Sequence, residues 1–144
     1  MKSVLYIIIA SLQVLYVFAG NASVTDSLLN KLKATPHDTT RLQLLEELAI
    51  NTQNSSHPLE YAEQLYKEAK LQDNSHYICN AAYFHVIYYY NEEGDLDSIA
   101  KWVNLIDPIA QKSKYWKVYF NSKKLLINIY IYKRQYEYAY NEAM

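Results

Sequence analysis

The stretch from Tyr83 to Ile106, YFHVIYYYNEEGDLDSIAKWVNLI, decides the fold. On each side of Gly94, apolar residues recur every three or four positions, which places each set on one face of a helix. Gly94 suits the left-handed position after a helix, and Asp95 suits the cap of the next helix. The stretch therefore predicts two helices folded back on each other. Their inward residues are Tyr83, Val86, Ile87 and Tyr90, then Leu96, Ile99, Val103 and Ile106.

The composition favours more helices around this pair. Hydrophobic residues make up 51% of the 144 residues and charged residues 20%, which suits one packed domain and argues against disorder. Gly occurs only twice and Pro three times. A fold built from β-hairpins needs more glycine, so the sequence predicts an all-α domain.

The charge pattern is not that of a nucleic-acid binder. The net charge is −1, and the lysines between Lys112 and Lys124 are spread around one helix, which is typical of a solvated face. The one cysteine, Cys79, supplies neither a disulfide nor a CxxC metal pair. Its apolar surroundings predict a position in the core.

The N-terminus has the pattern of an export signal. Lys2 precedes an apolar run from Val4 to Ala19, and small residues follow. This pattern predicts a signal peptide at 1–22, cut after Ala19 or Ala22, and a mature domain at 23–144 in the periplasm or secreted. The run is shorter than the roughly 20 residues of a membrane-spanning helix, although an uncleaved anchor is the alternative.

Caps and prolines divide the rest of the chain into helices. Asp38 and Ser56 are predicted to cap the second and third helices, and Ser113 to cap a long sixth helix. Pro108 is predicted to kink or end the fifth helix near Asp107, because proline removes a hydrogen bond. The predicted spans outside the central pair are Asp26–Lys33, Asp38–Gln53, Pro58–Leu71, Lys114–Lys133 and Gln135 onward.

Three helix faces are predicted to point inward from the same spacing rule. The second helix buries Leu42, Leu45, Leu48, Ala49 and Thr52. The third buries Leu59, Ala62, Leu65, Tyr66 and Ala69. The sixth buries Trp116, Phe120, Ile127 and Tyr130.

These helices repeat. Leu48, Val86 and Leu126 are equivalent, at spacings of 38 and 40 residues, and a fixed period in this range predicts a solenoid. Four residues after each come Thr52, Tyr90 and Tyr130, and then Ala62, Ile99 and Ala139 in the helix that follows.

The chain resembles the tetratricopeptide repeat (TPR) family from about Asp38 to the end. That family carries an aromatic, a Leu-Gly pair and Tyr in the first helix, then Ala, an aromatic and Ala in the second. The matching residues are Leu48, Ala49, Ala62, Tyr66, Ala69, Tyr83, Val86, Tyr90, Gly94, Leu126, Tyr130, Tyr136 and Ala139. The resemblance implies an antiparallel helix-hairpin solenoid of about 2.5 repeats. Lys123 stands where an aromatic is expected, Ile99 stands where a small residue is expected, and the period exceeds the usual value of about 34.

With its leader, the chain also looks like the exported N-terminal TPR region of Bacteroidetes sensor kinases and transcription regulators. That resemblance implies a fragment of a longer signal-transduction receptor, attached to the membrane through the leader or through a C-terminal segment that is missing.

Candidate catalytic and metal sites are not predicted. His76, Cys79 and His85 span too wide an arc of one helix to close a zinc shell, so the histidines are interpreted as capping or partly exposed. The adjacent pair Glu46–Glu47 points in two directions. Ser55-Ser56-His57 is a turn without an acid partner. The prediction is a protein with no enzyme activity and no cofactor.

Tyrosines are the candidate partner-binding residues. Tyr88, Tyr89, Tyr132 and Tyr136 need not point inward, and tyrosine suits interfaces because it is large, amphipathic and loses little entropy. The TPR resemblance implies that first helices line a groove for a peptide or protein partner. The equally weighted alternative is that tyrosine replaces Leu and Phe in a loosely packed core.

The predicted function is protein–protein interaction or sensing outside the cytoplasm. The alternative is a free-standing exported helical domain that binds a small ligand or a metal. The last helix has only about ten residues, and the helix before it is apolar nearly all round. We therefore expect this end to be truncated, or to be buried against a partner or a second copy.

Overall fold

The computed structural model describes residues 24–144, and the predicted signal peptide at 1–22 lies outside them. The described part is all-helical and contains no strand. A π-helical turn, Tyr89–Glu93, extends the fourth helix. Residues 24–144 form seven α-helices: α1 (residues 24–34), α2 (Thr39–Asn51), α3 (Glu60–Leu71), α4 (Ser75–Tyr88), α5 (Leu96–Ser113), α6 (Trp116–Tyr132) and α7 (Tyr136–Ala143).

The helices pack in chain order. From α2 onward each helix packs on the next, and short connections make such neighbours antiparallel. α4 also touches both α2 and α6. The even-numbered helices therefore form one layer, and α3, α5 and α7 lie beside it.

The turns that the sequence predicted around Gly94 are confirmed. Gly94 has φ +57°, in the left-handed region, and the Asp95 carboxylate accepts the backbone N–H of Asp97 at 3.1 Å. Asp38 caps α2 in the same way, at 2.9 Å from the backbone nitrogen of Thr40. Lys114 takes a similar left-handed conformation at the end of α5.

Two core clusters meet along α4. The first joins α1, α2, α3 and one side of α4, and the second joins the other side of α4 to α5 and α6. All five predicted inward residues of α2 are buried, as are Ala62, Leu65 and Ala69 on α3. Leu59 and Tyr66 are only partly buried.

The predicted caps at Ser56 and Ser113 are wrong, and so is an early end of the fifth helix at Pro108, whereas the kink given as its alternative stays a prediction. Helix α5 continues through Pro108 to Ser113, so proline does not end it. Ser113 is the last residue of α5 and donates to the carbonyl of Ile109, and α6 begins without a side-chain cap. Ser56 caps nothing, because α3 begins only at Glu60.

The predicted inward face of α6 is also wrong. Trp116 and Phe120 are 47% and 63% exposed, and Ile127 and Tyr130 are only partly buried. The buried residues are Val118, Ser122, Leu126 and Ile129. Helix α6 has two apolar sides, and the one with the larger side chains faces solvent.

Candidate partner-binding surface

Tyr88 and Tyr89 lie where α4 passes into the π-helical turn. Their rings make an edge contact at 5.3 Å, and both are partly buried. Tyr88 lines a small pocket, about 50 Å³ in volume, between this turn and the α2–α3 connection. Amide and carboxylate groups rim an apolar floor there, which suits one small amphipathic group. The other lining residues are Gln53, Asn54, Pro58, Leu59, Phe84, Ile87, Asn91 and Glu92.

Tyr132 and Tyr136 lie on the two sides of the α6–α7 turn. Tyr132 is 83% exposed and Tyr136 is 63% exposed. The four predicted tyrosines therefore form two pairs, one beside the pocket that Tyr88 lines and one on an open surface. Tyr130, by contrast, packs into the second core cluster and stacks on Tyr138 at 5.6 Å.

The last two helices carry most of the exposed apolar surface. Eleven large hydrophobic side chains are exposed in residues 24–144, and eight of them lie from Trp116 onward. Soluble proteins seldom gather such residues without a binding role. The eight are Trp116, Phe120, Ile131, Tyr132, Tyr136, Tyr138, Tyr140 and Met144.

Part of this surface is a straight row on α6, which we call the α6 stripe. It consists of the exposed Trp116, Phe120 and Ile131 and of Ile127, which is partly buried. At about 100° per residue, these four fall within an arc of about 60°, opposite the buried face. Tyr119 adjoins the stripe, and its ring lies 5.1 Å from that of Phe120 and 5.9 Å from that of Trp116.

A polar cluster joins the even-numbered helices. Tyr115 donates from its hydroxyl to the Asn80 side-chain oxygen at 2.8 Å, and Asn80 donates to Glu46. The His76 ring lies beside Asn80 and contacts the Tyr115 ring in a tilted arrangement, with 4.5 Å between centroids. Sequence reasoning missed this cluster, although an asparagine inside the apolar run YICNAAYF was a signal for it. Because the amide of Asn80 is satisfied internally, the cluster holds helices together.

His85 is buried, so the prediction of a capping or partly exposed histidine is wrong there. The ring stacks on Trp102 at 4.0 Å, and Tyr89 lies on a nearly parallel plane at 6.5 Å. Burial lowers the pKa of His85 to about 4, so the ring is neutral at pH 7. Burial likewise raises the pKa of Cys79 to about 11, which keeps the thiol protonated in the core.

The described side chains do not form a metal group, since no three of the His, Cys, Asp and Glu residues in 24–144 are placed to hold an ion. None of the helices in that range is long and apolar enough to cross a bilayer. No family model matches the chain, and no curated protein or solved structure is significantly similar to it.

Proposed function

We propose that this chain is a non-catalytic protein-interaction module with a TPR-like solenoid architecture, which works outside the cytoplasm. The observation that carries the proposal is the concentration of exposed aromatic and aliphatic side chains on α6 and α7. Aromatic residues are enriched at the centres of protein interfaces because they bury large areas with few rotatable bonds.

The solenoid part of the proposal is supported by equivalent residues in equivalent places. Leu48, Val86 and Leu126 are all fully buried, each in an even-numbered helix. The long period has a local cause in each unit: an eight-residue connection, 52–59, separates α2 from α3, and α5 has 18 residues. Repeats stacked in this way leave one layer of helices available to a partner.

Site-specific photo-crosslinking in the native host tests the interaction. A photoreactive residue at Tyr132 is expected to capture one defined protein, because this side chain is 83% exposed within the apolar surface. The matched control places the same residue at Lys67, which is exposed on α3 away from that surface. Equal capture at both positions, or none at Tyr132, would contradict the proposal.

Export is tested separately. The leader pattern predicts a loss of about 2 kDa, the mass of roughly 20 residues, on passage out of the cytoplasm. Mass spectrometry of the protein from the exported fraction measures it. Full-length protein held in the membrane would instead support the uncleaved anchor.

The pocket beside Tyr88 favours a second candidate, an exported domain that binds a small ligand. A small ligand that raises the thermal midpoint of the natural protein is expected not to raise that of Ile87→Trp, because the larger side chain fills the pocket. The same ligand is expected to raise the midpoint of Tyr132→Ser as it does that of the natural protein. For the metal form of this candidate, zinc titration of His76→Ala and His85→Ala against the natural protein is the test. Unchanged zinc binding in both variants would exclude these histidines as ligands.

A further inference from the structure

We propose that the α6 stripe docks an amphipathic helix of a partner protein, and that carboxylates about seven residues apart border the apolar face of that helix. This inference rests on the proposed interaction function and names the surface and the partner chemistry. A protein helix is the occupant that the shape and charge of the stripe favour.

The shape of the stripe matches one helix. Residues 116–131 rise about 1.5 Å each along the helix axis, so the stripe is about 22 Å, or about four turns, long. Its narrow arc forms a ridge of the kind that packs into the groove of a neighbouring helix. Trp116 and Phe120 lie 6.3 Å apart, centroid to centroid, and Tyr119 contacts both, so the three rings limit one another's rotation. Such prearranged aromatic side chains lose little entropy on binding.

The chain already uses the matching part of α4 as a contact surface. His76 and Asn80 precede Trp116 and Phe120 by forty residues, the spacing at which Val86 precedes Leu126. On α4, the Tyr115 ring contacts His76 and its hydroxyl donates a hydrogen bond to Asn80. At the equivalent place on α6, Trp116 and Phe120 face solvent, and both are larger and more apolar than His76 and Asn80.

Lysines border one side of the stripe. Lys117 and Lys124 are exposed and lie about 20° to 40° beyond Ile131 around the helix. Neither forms an ion pair within residues 24–144, whereas Lys123 is paired with both Asp107 and Glu142. Lys117 and Lys124 stand seven residues apart, about 10.5 Å along the axis. A partner helix that runs alongside α6 therefore meets them best with carboxylates at the same spacing.

The same charges disfavour a second copy. A two-fold symmetric contact pairs each residue around the axis with its mate. Lys124 lies near the middle of the stripe, so two antiparallel stripes would bring Lys124 against Lys124 of the other copy. Like charges placed face to face oppose association. The apolar run of the leader is also a poor occupant, because Lys2 is the only charged residue in 1–23.

Two synthetic helical peptides of 18 residues test the proposal by calorimetric titration of the purified protein. Both carry the same leucine stripe, with Glu at i and i+7 beside it in one peptide and Lys at those positions in the other. We expect the Glu peptide to bind at least about tenfold more tightly than the Lys peptide. The double variant Lys117→Glu, Lys124→Glu is expected to reverse that order, and Phe120→Ser to weaken both peptides about tenfold.

The matched control is Lys67→Glu, Lys70→Glu, which changes the same charge on exposed positions of α3 and is expected to leave both affinities unchanged. Circular dichroism confirms that each variant is folded. Failure of the Glu peptide to bind, or a preference that ignores Lys117 and Lys124, overturns the proposal. So does sedimentation showing a dimer that Phe120→Ser dissociates, since the stripe is then filled by a second copy. Capture of a partner at Tyr132 tests the proposed interaction function and does not depend on the peptide titration. Failure of one proposal is therefore distinguishable from failure of the other.

Discussion

His85 is an ionisable ring placed in an apolar stack, and its cost to stability depends on pH. Neither ring nitrogen has a hydrogen-bond partner among the described residues, and burial lowers the pKa to about 4 from an ordinary 6.5. Lys101 lowers it further, and Glu63 acts in the opposite direction. Between pH 6.5 and 4, His85 binds a proton in the unfolded chain but stays neutral in the folded chain. Stability is therefore fully present above pH 6.5 and falls as the pH drops through this window.

Urea unfolding at pH 7 and pH 4.5 measures this effect. The natural protein is expected to lose on the order of 2–3 kcal/mol through His85 across that range. His85→Phe keeps the ring stack but cannot take up a proton, so its loss is expected to be smaller by about that amount. His37→Gln, an exposed histidine beside Glu68, is the control and is expected to behave more like the natural protein. Identical pH dependence in His85→Phe would show that this ring titrates normally.

Ala62 shows how tightly a single position is packed. Its side chain is fully buried on the face of α3 that packs against α2 and α4. Ala62→Phe is expected to cost about 1–3 kcal/mol, because the larger ring forces its neighbours apart. Lys67→Phe, on the exposed face of the same helix, is the control and is expected to change stability by less than about 0.5 kcal/mol. Equal thermal midpoints for the two variants would place Ala62 outside the core.

At the scale of the element, Pro108 shows tertiary packing overriding a local sequence rule in α5. A proline inside a helix costs about 3 kcal/mol in isolation, which is why the sequence predicted a kink or an end near Asp107. Yet Ile106 and Ala110 are fully buried on either side of it, and Pro108 itself is exposed. The free carbonyl of Asn104 lies on an exposed residue, where water can solvate it. Burial of Ile106 and Ala110 therefore stabilises the helix enough for α5 to continue past the proline.

Replacing that proline is expected to stabilise the protein. Pro108→Ala restores a backbone hydrogen bond to Asn104, and the gain is expected to be about 1–2 kcal/mol after the loss of proline's restraint on the unfolded chain. Thermal unfolding measures it, with Lys112→Ala on the same exposed side as a neutral control. A lower midpoint for Pro108→Ala would mean that the helix is broken at this point in solution.

The helices themselves were predictable, and so were the caps at Asp38 and Asp95 and the inward faces of α2 and α3. These features depend on local spacing and on short-range hydrogen bonds. The face of α6 was not predictable, because the helix carries two apolar sides and hydrophobicity favoured the wrong one. Ser122 is fully buried there, and its type gives no sign of it. For the candidate surface, the sequence named the exposed Tyr132 and Tyr136 but placed Trp116 and Phe120 inside.

At the scale of the whole molecule, contacts join mainly neighbours in the chain. The first core cluster contains Leu45 and the second contains Leu126. Helix α4 contributes buried residues to both, and Leu105 and Ile109 of α5 pack against both. In such an arrangement, stability is close to a sum of local terms and interfaces between adjacent units. A defect at one end is then felt weakly at the other.

Two matched leucine-to-alanine substitutions test whether a defect stays local. Leu45→Ala and Leu126→Ala each remove a fully buried leucine, and each is expected to cost about 2–5 kcal/mol locally. Native-state hydrogen exchange is expected to show lost protection in α2 and α3 for the first variant, and in α6 and α7 for the second. The core of α4 is expected to lose less than either end, since each cluster supports it from one side. If both variants lower protection equally from α2 to α7, the molecule unfolds as one unit and the picture of locally summed stability fails.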